Sequence, residues 1–182
     1  MKEEPTVLVV DDLPQNVRLL DAVLSPRGYD VRTAGSGQEA LDLLQEHEID
    51  LVLLDIVMPG LDGYEVCRRL RAYKPTREVP VMFLSSLEDV KNKALGFEVG
   101  GNDYLTKPFE VLEIKARVRS LLKAKAYADA VREAMARDLR IAREIQMGIL
   151  PADLAAATKS TGLEVYAVIE PAREVGGDLY EV

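Results

Sequence analysis

Residues 51–63 read LVLLDIVMPGLDG, and this stretch decides the fold. Four apolar residues stop at Asp55, as in a parallel strand buried on both faces that delivers its last side chain to the carboxyl edge of a sheet. The same construction recurs in VLVVDD at 7–12, ending in Asp11 and Asp12, and in VMFLSS at 81–86, ending around Ser85. A fourth segment, DYLTKPF at 103–109, ends in Lys107.

Between these strands lie helical signals. TVLVVD is followed by a helix from about Pro14 to Ser25, with Asp12 as its expected cap and Gly28 as its stop before the strand YDVRTA. GSGQEALDLLQEHE reads as a second helix with Ala40, Leu41 and Leu44 on one face. GYEVCRRLRAY reads as a third, and LEDVKNKALGFEVG as a fourth closed by glycines. Five βα units over the first 108 residues predict an α/β, doubly wound parallel sheet, in which ligands sit at the carboxyl ends of the strands.

The 182 residues suffice for one complete domain plus something extra, and 48% hydrophobic content is ample for a packed core. Thirty-one acidic against twenty-three basic residues give a net charge of −8, which argues against a nucleic-acid partner. One cysteine, Cys67, cannot form an internal disulfide. Neither a signal-peptide core nor a transmembrane-length apolar run is visible, so the expected location is cytoplasmic, with no membrane partner. Charge also marks boundaries: residues 109–149 carry more basic than acidic side chains, while both flanks are acidic.

No proline or glycine interrupts 109–147, so the fifth helix can run on the order of 60 Å. A seven-residue repeat places Ile114, Leu121, Ala128, Met135, Ala142 and Ile149 in one row. Val111, Val118, Lys125, Arg132, Leu139 and Gln146 fill the second, half of it polar. This predicts a homodimer through the 109–149 helix with a loose middle at Lys125 and Arg132. The blander alternative is a helix whose start packs on the first domain and whose remainder is an exposed spacer.

Three carboxylates crowded at one point repel unless a cation joins them. Asp11, Asp12 and Asp55 make a hard-oxygen set suited to Mg2+. In such a pocket Asp55 is the candidate nucleophile toward a phosphoryl group, with Lys107 as a point charge on one phosphate oxygen and the Ser85 hydroxyl as donor to another. The only histidine, His47, sits at a polar helix end and is expected to be solvated, which excludes a histidine phosphotransfer module. Cys67 is expected to serve packing.

In these motifs the chain resembles the receiver domain of two-component response regulators over residues 5–123. The resemblance implies a flavodoxin-like (βα)5 fold, with Asp55 as phosphoacceptor from a histidine kinase and a cis bond before Pro108. It further implies Mg2+ held by Asp12, Asp55 and the backbone carbonyl of Val57, with Asp11 acting through water. Tyr104 matches the aromatic switch residue, expected to turn inward as Ser85 moves toward the phosphate. Val57 and Leu87 occupy the two positions that influence attack by water, and both are apolar here.

AREIQMGILP at 142–151 and YAVIEPAREVGGDLYEV at 166–182 are similar to the opening of PPM-type serine/threonine phosphatases of bacterial stress and sporulation signalling. That resemblance implies Asp178 as a metal ligand, Mn2+ or Mg2+ in a complete phosphatase domain, and a phosphoprotein substrate. The expected organisation is a receiver at 1–123, a helical, coiled-coil linker at 124–150, and an incomplete phosphatase segment at 151–182. Its strands are expected at 163–171 and 177–182, and this chain alone is expected to be inactive as a phosphatase. Two other readings remain: a receiver adaptor acting by protein contact, and a receiver fused to a diguanylate cyclase, since GGDLY superficially resembles that family's GGDEF signature.

Overall fold

The computed structural model of the chain describes residues 4–86 and 90–149. Leu87, Asp178 and the two strands expected at 163–171 and 177–182 lie outside the described residues. The elements alternate as β1 (Thr6–Val10), α1 (Pro14–Leu24), β2 (Asp30–Ala34), α2 (Gly37–Glu46), β3 (Leu51–Asp55), α3 (Gly63–Ala72), β4 (Val81–Ser85), α4 (Val90–Glu98), β5 (Asp103–Thr106) and α5 (Val111–Ile149). All five strands are parallel in the order β2-β1-β3-β4-β5, the doubly wound, flavodoxin-like sheet expected from the strand signals.

Period-two alternation splits each central strand between two cores. Leu8, Val10, Val52, Leu54, Val81 and Phe83 face one core, which α2 and α3 close with Ala40, Leu44, Val66 and Leu70. Val7, Val9, Leu51, Leu53, Met82 and Leu84 face the other, closed by Leu20 and Leu24 of α1 and by Ile114, Val118 and Leu122 of α5. Both faces are covered, so the central strands β1, β3 and β4 carry continuous apolar runs with no polar alternation.

Local signals start and stop the helices. The Ser36 hydroxyl accepts from Glu39 N at 3.3 Å while Glu39 Oε2 accepts from Gly35 N at 2.7 Å, a reciprocal cap on α2. Asp62 caps α3 by accepting from Glu65 N at 2.8 Å. Gly28 closes the short 3-10 turn after α1 at φ 80, a left-handed conformation that glycine adopts without steric cost. The expected cap on α1 is corrected. Its N-cap is Leu13 with no side-chain cap bond, Pro14 supplies the first helical position, and the free Leu13 N–H goes to Asp11 rather than Asp12.

Helix α5 is continuous for 39 residues, beginning two positions later than Phe109. The chain divides into two units, Met1–Tyr127 and Ala128–Val182, and α5 contributes to both. Within the first unit, Ile114 and Val118 are fully buried in the sheet core, so two of the heptad positions are spent on intramolecular packing. Lys125 Nζ lies 3.6 Å from Asp50 Oδ1, beside the amino end of β3. Within the second unit, Val131, Met135, Leu139 and Ile141 are exposed.

Candidate functional site

The pocket lies where β1 and β3 adjoin, the point at which strand order reverses and two crossovers leave in opposite directions. Strand register sets its members side by side. Val10 pairs with Leu54, Asp55 with Leu84 and Ser85 with Thr106, so Asp11, Asp55, Ser85 and Lys107 all emerge at one edge. Lys107 follows the end of β5, and its backbone N–H donates to Ser85 O at 2.7 Å. The Lys107–Pro108 bond is cis.

The lysine bridges two carboxylates. Its Nζ donates to Asp11 Oδ2 at 2.6 Å and to Asp55 Oδ2 at 2.8 Å. Asp11, Asp55 and Ser85 are buried, and Asp12 is half-buried. Asp11, Asp12 and Asp55 each offer a carboxylate oxygen, and these oxygens lie within 4.8 Å of one another. A set of three hard oxygen donors at that spacing fits Mg2+, which binds through a few carboxylates and keeps several waters.

Burial is the largest influence on Asp55 and pushes its carboxyl above the ordinary range. The Lys107 contact and the Val57 N–H at 3.3 Å pull it back, while the Asp11 charge adds to the rise. Burial alone would lower the Lys107 ammonium. The hydrogen bonds and charges of Asp11 and Asp55 outweigh that and hold it above its usual value. The pocket therefore holds its charges at a cost, and a further cation or a phosphoryl group would change the balance strongly.

Gly63 is required beside it. A Cβ there would meet the Asp55 carbonyl oxygen at 2.3 Å, so only glycine lets α3 approach the strand end that carries Asp55.

A response regulator receiver domain profile matches residues 7–119, more than half of the chain. The chain belongs to the response regulator receiver domain family. Receiver domains bind Mg2+ at an acidic pocket, and the three aspartates form such a pocket in this one. The receiver is 42% identical over 127 residues to the response regulator PleD of Caulobacter vibrioides, covering 70% of this chain and 28% of that protein. It is 44% identical over 117 residues to the alkaline phosphatase synthesis transcriptional regulatory protein PhoP of Bacillus subtilis, covering 64% of this chain and 48% of that protein. The chain thus spans less than half the length of either relative. Among solved structures, a putative response regulator of Chloroflexus aurantiacus superimposes with TM-score 0.64 at 41% identity, covering 66% of this chain and 98% of that one. The Francisella response regulator 1452 receiver domain does so with TM-score 0.62 at 37% identity, covering 66% and 98%.

The receiver's remaining expected positions fall as follows. Tyr104 is only 8% exposed, with Lys93 Nζ lying 5.6 Å from its ring centroid, so the ring is already inward. The Val57 side chain is 55% exposed. His47 is an exposed C-cap of α2, and Cys67 is buried with its thiol donating to Val99 O at 3.5 Å.

Sequence reasoning missed Asn16. One turn into α1, its Nδ2 reaches both Asp11 oxygens at 2.9 Å. The only signal was an amide five residues beyond an acidic strand end.

Proposed function

We propose that this chain is a response regulator that takes a phosphoryl group from a histidine kinase onto Asp55. The convergence of Asp11, Asp12 and Asp55 with Lys107 at one sheet edge carries the reading. In the transfer, an Asp55 carboxylate oxygen forms the new O–P bond as the donor's bond to phosphorus breaks. Lys107 moves its charge to a phosphoryl oxygen, and the Ser85 hydroxyl donates to another. Asp12, Asp55 and the Val57 carbonyl, with Asp11 through water, would hold Mg2+, which would supply charge neutralisation for the incoming group. Tyr104 acts as the switch side chain that responds as Ser85 moves toward the phosphate. The protein works in the cytoplasm, without nucleic acid or membrane as direct partner.

The output belongs to the C-terminal segment. The similarity of 142–151 and 166–182 to PPM-type phosphatases supports relay through α5 to a phosphatase domain acting on a phosphoprotein, with Asp178 among its ligands for Mn2+ or Mg2+. The domain division at 123 and 150 follows from that reading. The exposed apolar side chains of α5 after Tyr127 support a homodimer through the 109–149 helix as the mechanical link.

The test is incubation with a small phosphodonor or a histidine kinase, with and without Mg2+, read by intact mass. Wild type should gain one phosphoryl group only with Mg2+. Stoichiometric acid-labile phosphate on Asp55→Asn would overturn the assignment.

A further inference from the structure

A carboxylate offers about four lone-pair positions to donors, and three donors engage Asp11 across both of its oxygens. Its Oδ1 accepts from Leu13 N and from Asn16 Nδ2, each at 2.9 Å. Its Oδ2 accepts from Asn16 Nδ2 at 2.9 Å and from Lys107 Nζ at 2.6 Å. The amide cannot be turned the other way, because its oxygen would then face both carboxylate oxygens with no proton between them. Asp55 differs. It accepts from Val57 N on Oδ1 and from Lys107 on Oδ2, which leaves lone pairs on both oxygens.

Three carboxylates within 4.8 Å are ambiguous between two divalent cations. Ca2+ takes six to eight oxygens and gains from each added protein carboxylate, whereas Mg2+ is smaller and keeps its waters. Which cation is favoured depends on how many of the three can reach it directly. Even after Lys107 leaves for a phosphoryl oxygen, Leu13 still donates to Oδ1 and the Asn16 amide still bridges both Asp11 oxygens.

Resting on the reading that this pocket holds Mg2+, we infer that Asn16 is a positioning residue that sets cation choice. It ties the Asp11 carboxylate to the start of α1, so that Asp11 acts on the cation through water and leaves Asp12 and Asp55 as direct donors. Removing the amide takes away the donor that bridges both Asp11 oxygens, turns the pocket into a three-carboxylate site, and shifts its preference toward Ca2+.

The experiment is calorimetric titration of the full chain with MgCl2 and with CaCl2, for wild type, Asn16→Ala and Asn16→Leu. Thermal melts in EDTA establish that each variant is folded. Asn16 is only partly buried and sits in a helix, so alanine is well tolerated there. The expected result is a Ca2+ to Mg2+ affinity ratio about tenfold higher in both variants, the scale of one charged hydrogen bond released. A role confined to stability would move both affinities together and leave the ratio unchanged. An unchanged ratio with wild-type Mg2+ binding intact overturns the assignment of Asn16 alone. So does a loss of about 10–100-fold for both cations, as when the support of a direct ligand is removed. Failure of wild type to bind either cation overturns the pocket reading and this inference together.

Discussion

Replacing Lys107 by methionine removes the ammonium that contacts both buried carboxylates. At an effective dielectric near 20, contacts of 2.6 and 2.8 Å are each worth about 6 kcal/mol of attraction. Each carboxylate pair at up to 4.8 Å opposes that with at least about 3 kcal/mol. Attraction and repulsion are thus nearly matched in the wild type, and the methionine variant keeps only the repulsion. Relief by proton uptake limits the loss, and the expected destabilisation is about 3–5 kcal/mol, as when one partner of a buried pair is deleted. Urea denaturation followed by circular dichroism, in EDTA and in MgCl2, measures it. Because the cation has no competing ammonium in the variant, Mg2+ should recover more stability there than in wild type. At one MgCl2 concentration, a hundredfold above the variant's dissociation constant, the recovery there is about 2.7 kcal/mol, and wild type, binding more weakly, gains less. A loss below about 1 kcal/mol in EDTA, or equal Mg2+ increments in both proteins, would refute the electrostatic account of the pocket.

Four further outcomes follow from particular positions. The Asp55 carboxyl is raised mainly by burial, so the native state keeps its proton to higher pH than the unfolded chain, and the charged form weighs against folding once pH passes the raised value. Asp55→Asn should therefore raise the melting temperature in EDTA at pH 7, by about 2–4 °C per kcal/mol relieved. The gain should fade as pH falls toward 3.8, where wild type is increasingly neutral in both states. A lower melting temperature for the variant at pH 7 would count against it. Ile114→Ala should cost about 2–5 kcal/mol in urea titration, because a fully buried side chain leaves a cavity. Met135→Ala, at a position 63% exposed, should leave the midpoint within about 0.5 kcal/mol while weakening self-association in sedimentation. Val57→Asn should speed loss of the phosphoryl group, since an exposed polar side chain beside Asp55 can orient attacking water; an unchanged half-life would argue otherwise.

The five strands, their order of chemistry and the edge on which it gathers were legible in the chain itself. Apolar runs ending in Asp11, Asp55 and Ser85 are local patterns, and a sheet buried on both faces has few other ways to use them. The glycine stop at Gly28 is equally local. Contacts between residues distant in sequence were not legible. Heptad spacing in α5 could not tell whether Ile114 and Val118 would meet another helix or the sheet, because both partners are apolar. Nor could it show that Lys125 turns to Asp50, seventy-five positions earlier. The Asn16 contact depends on where α1 leaves the sheet relative to Asp11, a matter of three-dimensional placement. Residue type and spacing determine which groups arrive at the pocket. Only the packing of α1 and β5 around it decides which lone pairs remain open, because hydrogen bonds are set by distance and direction that a linear pattern does not carry.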